Sequence, residues 1–298
     1  MTVFYLFKAI FMPFITLIKL SYPTQLMKRT KTTIIERRRV KADLHNHFRT
    51  SSNMDGLFDP AVNTIFRNLG IYSLIGLINF EDQRYEKFIQ QPGYERQDLG
   101  NSIYLPKLDI LIVKGQEVPT QQGHLLVLGI EKGKKNHIPV GMSLKDTIKA
   151  SRDLNGIIIA DHPFYRDGIG PFLQKKPGYL SRVDAFETHN GEAALWIPGL
   201  TPKDANQKAL EFYQRTSTSK LVGSLACSDG HSLYEIGSSY TDLTMPDYSL
   251  LKCSEDVSSS LKKAVKNATS SNRHTNDSRI STLCHIISLG LIKLGLLK

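Results

Sequence analysis

The chain reads as an α/β fold, a seven-stranded (β/α)7 TIM-like barrel with an extra apolar segment at each end. Three observations predict it. Short apolar, β-rich runs alternate with helix-like stretches, as in a parallel sheet with helices outside it. A length of 298 residues, 41% of them apolar, suits one sizeable core of that kind. Ionisable residues follow nearly every strand, at the end where a parallel barrel gathers them on one face.

The elements follow in order. Val40–Leu44 reads as a first strand and stops at His45-Asn46-His47. A helix-like stretch, Ala61–Leu69, ends at Gly70 and leads to a second strand, Leu74–Ile78, trailed by Asn79-Phe80-Glu81-Asp82. Ile110–Val113 is a third strand with Gln116-Glu117 behind it, and Leu125–Ile130 a fourth. A helix over Leu144–Leu154 precedes the fifth, Gly156–Ala160, which ends at Asp161-His162-Pro163. Val183–Phe186 runs into Glu187-Thr188-His189-Asn190. A helix over Pro202–Gln214 precedes the seventh strand, Leu221–Ala226, and then Ser228-Asp229-Gly230-His231.

These strand ends have the chemistry of a metal site. His-x-His at a strand end puts both imidazoles on one side, because strand side chains alternate with period two, and Asp229-Gly230-His231 repeats the device. Carboxylates such as Glu117 and Asp229 add anionic donors able to bridge ions. Mixed His/carboxylate sets suit Mn²⁺, Zn²⁺ or Fe²⁺ better than the all-oxygen shell of Ca²⁺. One histidine beside a strand is more often structural than a ligand; six strand ends in agreement outweigh that reading. His137 and His274 read as surface residues, and Asp43 as a hydrogen-bond partner behind the ligands or a cap.

In this setting the sequence resembles the PHP (polymerase and histidinol phosphatase) family, over roughly residues 39–245. The matching pieces are D-L-H-N-H at 43–47, S-S-N-M-D-G at 51–56, G-Q-E-V at 115–118 with G-H-L-L-V-L-G at 123–129, A-D-H-P at 160–163, D-A-F-E-T-H-N at 184–190, and C-S-D-G-H-S at 227–232 followed by E-I-G-S-S-Y-T at 235–241. The resemblance implies a distorted seven-stranded barrel holding two or three divalent metal ions (Mn²⁺, Zn²⁺ or Fe²⁺, with Mg²⁺ allowed). It implies His45, His47, Asp55, Glu117, His124, His162, Asp229 and His231 as ligands, with Glu117 as bridge. The family's second strand usually ends in Thr-Asp-His; here it ends I-N-F-E-D, and Asp82 rather than Glu81 is expected to substitute.

The activity expected is hydrolysis of a small phosphomonoester, nucleotide or short oligonucleotide by metal-bound hydroxide. Glu117 and Asp229 are expected at the reacting centre, with His189 as general acid. Arg49, Arg84 and Arg166, in loops after strands, are expected to grip phosphate. The alternative is a weakly active or non-catalytic membrane-associated metal-binding scaffold.

Charge bounds the partners. Residues 1–41 hold nine Lys/Arg against one Glu, and residues 251–298 eight against three acids, so a total of +10 leaves the body at −3. An acidic body argues against long nucleic acid and for a small substrate. The expected organisation is an apolar, basic segment at 1–38, a metal-dependent barrel at 39–250 and a basic, apolar tail at 251–298. Residues 3–20 are apolar but interrupted by Lys8, Pro13 and Lys19, and Ile280, Leu283, Ile287, Leu291 and Leu294 recur at helical spacing. Such ends suit a peripheral membrane surface. Cys227, Cys253 and Cys284 show no metal-type spacing, pointing to the cytoplasmic side, at the inner face of a membrane if the ends touch one.

Overall fold

The computed structural model describes residues 37–195, 201–216 and 222–275, together with Ile287. They belong to one of two compact units of the chain, Glu36–Lys298. The membrane expectation rests on 1–36 and the far end of the chain, which, Ile287 apart, lie outside the described residues, as does Cys284. Among the described residues no helix is long and apolar enough to cross a membrane.

The strands are β1 (Arg37–Asn46), β2 (Ser73–Asn79), β3 (Gln97–Asp98), β4 (Ser102–Leu105), β5 (Ile110–Thr120), β6 (Gly123–Leu128), β7 (Ile157–Ala160), β8 (Ala185–Asn190), β9 (Gly223–Cys227), β10 (Ser239–Pro246) and β11 (Arg273–Thr275). The helices are α1 (Phe58–Leu69), α2 (Arg84–Ile89), α3 (Leu144–Asp153), α4 (Gly170–Lys175), α5 (Ala205–Arg215) and α6 (Ser254–Lys266). All eleven strands form one sheet, ordered β11-β10-β1-β2-β5-β6-β7-β8-β9, with β3 and β4 beside β5 off that path.

The seven strands expected from the sequence are a consecutive run of that order, β1 through β9 without β3 and β4. One runs the wrong way for the expected parallel barrel. β6 is antiparallel to both β5 and β7, whereas β1–β2, β2–β5, β7–β8 and β8–β9 are parallel. The reason is local. β5 extends to Thr120, so only Gln121 and Gln122 connect it to β6. A parallel return needs a crossover of a dozen residues or more; two permit only a hairpin.

β9 then turns back on β1 and the ring almost closes. Side chains bridge the seam: Ser228 N donates to Asp43 Oδ1 (2.9 Å), Gly237 N to Asp43 Oδ2 (2.8 Å), and Ala226 N to Thr241 Oγ1 (2.8 Å). His47 N donates to Gly230 O at 2.8 Å. Gly230 is required there, since a Cβ would stand 2.8 Å from Asn46 Oδ1.

Alternation decides which residues fill the ring. Val40, Ala42, Leu44, Leu74, Ile78, Leu111, Val113, Leu126, Leu128, Ile157, Ile159, Ala185, Leu225 and Cys227 form one buried cluster drawn from all seven strands. The intervening positions face the helices: Ile75, Leu77, Ile110 and Ile112 pack with Phe58, Ala61, Val62, Ile65 and Leu69 of α1. These α1 positions fall on one helical stripe. Residues 254–266, assigned from sequence to a tail, make α6, whose Val257, Leu261, Ala264 and Val265 join the interior cluster. Ser224 N donates to Ala268 O (3.0 Å), so α6 sits at the start of β9 while Asp229 follows its end. The basic run at 37–41 is likewise part of the sheet: Arg38 pairs with Asp247 and Arg39 with Asp242, both at 2.7 Å.

Candidate metal centre

The rim opposite α6 collects the ligand-type side chains by specific backbone devices. The β1–β2 pairing is irregular between Asp43 and Asn46, where His45 and His47 turn inward with ring centroids 5.3 Å apart. The inverted β6 places its first residues, rather than its last, at this rim. His124 therefore stands beside Glu117 of β5. Gly123 holds φ +126° because the Asp167–Ile169 backbone passes within 3 Å of where its Cβ would be. His162 and Asp229 adopt left-handed backbone, φ 23° and 54°, unfavourable for residues with a Cβ and typical of functional sites.

Glu117 is the centre of the arrangement. Its Oε1 lies 2.6 Å from His124 Nδ1 and 3.1 Å from His162 Nε2; its Oε2 lies 3.3 Å from His47 Nε2 and 3.8 Å from His45 Nε2. Asp229 Oδ1 stands 3.2 Å from His45 Nε2 and 3.5 Å from His47 Nε2. Three donor groups result, each with ligand atoms within 4.8 Å of one another: Glu117, His124, Asp161 and His162; His45, His47 and Glu117; and His47, Asp229 and His231.

The donor set fits divalent ions. His45 Nε2, His47 Nε2, Asp229 Oδ1 and both Asp161 oxygens are buried and make no hydrogen bond. Leaving such groups unmade costs several kcal/mol of desolvation unless a cation satisfies them. The same charges act on one another. Burial opposes charge on His45, yet the Asp229 and Glu187 carboxylates outweigh it and hold the imidazole's proton well above its usual range. Burial also opposes charge on Glu117, but the surrounding imidazoles of His124, His162, His45 and His47 pull its carboxyl far down. Asp229 is lowered in the same way, chiefly by His45 and His47 against its own burial.

Of the expected ligands, the fold thus brings together His45, His47, Glu117, His124, His162, Asp229 and His231. Asp55 and Asp82 are elsewhere. Asp55 is exposed in the loop after β1 and belongs to none of the three groups. Asp82 accepts from Arg84 Nε at 2.8 Å and from Phe80 N at 3.2 Å. Arg84, expected on phosphate, is buried, and its Nη1 donates to the carbonyls of His47 (3.3 Å) and Arg49 (2.7 Å). Arg49 is half-buried, donating to Asn53 O, and Arg166 is exposed after β7. His189 is buried in β8 and in none of the donor groups. His137 is half-buried, whereas His274 is exposed, as expected of a surface residue, and each has a polar neighbour. His137 Nε2 lies 3.2 Å from Gln116 Nε2, and His274 sits on β11, 2.7 Å from Asp242 Oδ2.

Two site residues were not singled out from the sequence. Asp161 is fully buried among the first group, and burial pushes its carboxyl up to about 6. Glu187 faces His45 Nδ1 (3.0 Å), accepts from His162 N (2.8 Å) and Asn190 Nδ2 (2.9 Å), and so orients two imidazoles at once. Asn190 Nδ2 also reaches Asp229 Oδ2 at 3.1 Å. The signal for both lay in the strand-end motifs D-H-P and E-T-H-N.

No family model matches the chain, and no curated protein matches it. Among solved structures its fold is similar to PsfC from Pseudomonas syringae PB-5123, with TM-score 0.58 and 13% identity over 87% of this chain and 100% of that one. The lesion-specific endonuclease PfuEndoQ from Pyrococcus furiosus gives TM-score 0.47 and 13% identity over 79% of this chain and 57% of that one. Endonuclease Q in complex with a 27-mer duplex bearing an abasic lesion gives 0.49 and 14% over 79% and 58%. The likeness to PsfC is one of fold: an α/β barrel-like sheet of mixed strands.

Proposed function

We propose that this chain is a metal-dependent phosphoesterase of the PHP type, acting on a small phosphomonoester, a nucleotide or a short oligonucleotide. One observation carries the reading. Glu117 directs one oxygen to His124 and His162 and the other to His45 and His47, as a carboxylate bridging two cations does. Four of the motifs that resemble the family, at 43–47, 115–118, 123–129 and 160–163, are the segments that supply these donors.

Divalent ions held there would supply Lewis acidity toward a phosphoryl oxygen and toward water. The chain's own residues do the rest. His45, His47 and Asp229 stand fixed at the floor, their ring and carboxylate orientation set by Ile78 O, Glu187 and Asn190. His124 and His231 are half-exposed and mark the mouth. Tyr165 follows His162 on the same rim, and Arg166 and Arg49, in the loops after β7 and β1, are the cations proposed to receive phosphate, since Arg84 is committed to the loop. His231 and His189 are the candidates for handing a proton to the leaving oxygen.

The test is a screen of phosphorylated metabolites, nucleotides and short oligonucleotides with Mn²⁺, with non-phosphate amide substrates alongside because fold alone does not fix chemistry. Phosphate release abolished by chelation and by Asp229→Ala supports the proposal. Turnover indifferent to both sinks it, and tight metal binding with no turnover favours the scaffold.

A further inference from the structure

We infer that this chain builds a centre for two ions and not three, with Phe80 standing where the end of β2 would have to supply a donor. The inference rests on the metal reading above and narrows it.

Three donor groups invite three ions, but the groups share atoms. An imidazole whose one nitrogen is protonated has a single lone pair for a metal. His47 Nδ1 lies 3.2 Å from Ile78 O, and a carbonyl only accepts, so the proton is on Nδ1 and Nε2 alone is available. That nitrogen belongs both to the group with His45 and Glu117 and to the group with Asp229 and His231. It serves one ion. Beside it, His45 Nε2, Glu117 Oε2 and Asp229 Oδ1 converge within 3.2–3.8 Å, which completes four donors. Glu117 Oε1, His124, Asp161 and His162 make a second set of four.

Little is left for another cation. Asp229 Oδ2 already accepts from Asn190 Nδ2. His231 Nδ1 lies 2.9 Å from Asp229 O, again a carbonyl, and 3.4 Å from Glu192 Oε2, which leaves its Nε2 on the side of the ring away from that carboxylate. Two protein donors, one of them already hydrogen-bonded, fall short even of the three that an open Zn²⁺ site keeps besides water. β2 contributes none. The Phe80 ring stacks on His47 at 4.1 Å and 8°, lies 6.4 Å from His231, and carries the Arg84 guanidinium 5.0 Å from its centroid. Asp82, two residues after Phe80, is held by Arg84. An apolar wall therefore covers the face from which a third site would be built.

The test counts ions. Full-length protein is saturated with Mn²⁺ or Zn²⁺, desalted, and its metal per chain measured by mass spectrometry, with circular dichroism to confirm folding. Two ions are expected in the wild type and still two in His231→Ala, with a third gained in Phe80→His. Three ions in the wild type, or loss of one in His231→Ala, overturns the two-ion inference and leaves the metal centre standing. A folded Phe80→His that gains nothing overturns the part given to Phe80. A wild-type count below two overturns the metal centre and this inference together. Should Phe80→His fail to fold, the wild-type and His231→Ala counts decide.

Discussion

At the scale of single residues, the site is as much a matter of who holds the ligands as of who the ligands are. Glu187 touches no expected substrate, yet it fixes His45 by its ring and His162 by its backbone. Removing such a partner typically weakens metal binding about 10–100-fold. Glu187→Gln is expected to show that loss in a competitive metal titration while keeping its secondary structure; unchanged affinity would argue that the carboxylate is a bystander. Arg84 and Arg166 should separate in kinetics. Arg166→Ala removes a surface cation and is expected to raise KM about tenfold, in line with a charged hydrogen bond of roughly 1.5–3 kcal/mol. Arg84→Ala releases the loop carrying His47 and Arg49, so its signature is a lower melting temperature with kcat falling alongside. The sequence shows why these roles were hard to assign. Strict alternation puts Asp161 and His162 on opposite faces, and only the left-handed backbone at His162 brings both into one group. Alternation also pairs Glu187 with His189, but the register shift between them breaks that equivalence. Asp82 looked like a free carboxylate because nothing in E-D-Q-R announces that its partner is two residues away.

Elements were legible where burial is two-sided. The seven apolar runs became strands because parallel neighbours need continuous hydrophobic segments. β10, S-Y-T-D-L-T-M-P, was missed because it lies against β1 with polar residues between its inward Thr241, Leu243 and Met245. The direction of β6 was hidden for another reason: reading the third strand only to Val113 left an apparent gap of residues 114–124, too long to announce a two-residue hairpin. How elements are tied together yields a pH prediction. Glu86 of α2 meets Lys114 of β5 at 2.7 Å. Burial opposes its charge, but hydrogen bonds from Lys114 and Asn79 prevail, holding the carboxyl below its ordinary 4.5. A carboxyl depressed in the folded state contributes stability above 4.5 that fades as pH falls through the folded value. Glu86→Gln should therefore destabilise at neutral pH, with the gap from wild type narrowing below about 4.5 in denaturation curves. A constant gap would assign the effect to packing. The seam between β9 and β1 depends similarly on Asp43, and Asp43→Ala, which strands the Ser228 and Gly237 N–H groups, is expected to cost about 1–3 kcal/mol in denaturant titrations.

For the molecule as a whole, the centre is also a fastener. Its donors come from β1, β5, the start of β6 and the segments after β7 and β9, so an ion bound there links nearly the whole circumference. Binding to the folded form alone adds about 2.7 kcal/mol when free ion exceeds Kd a hundredfold. The melting temperature should rise with Mn²⁺ or Zn²⁺ and fall with chelator, whereas a chelator-insensitive transition would show the centre to be energetically idle.

The antiparallel return of β6 has a consequence for how the molecule comes into being. Glu117 and His124 are neighbours on one hairpin, able to meet as soon as that hairpin leaves the ribosome. His45 must wait for Asp229, which is translated 184 residues later. Between the emergence of β1 and that of β9 a nascent polypeptide thus exposes a half-assembled chelator and an open apolar trough, and closure of the ring must follow both. Chains arrested just short of Gly223 are expected to be sticky and inactive even when metal is abundant.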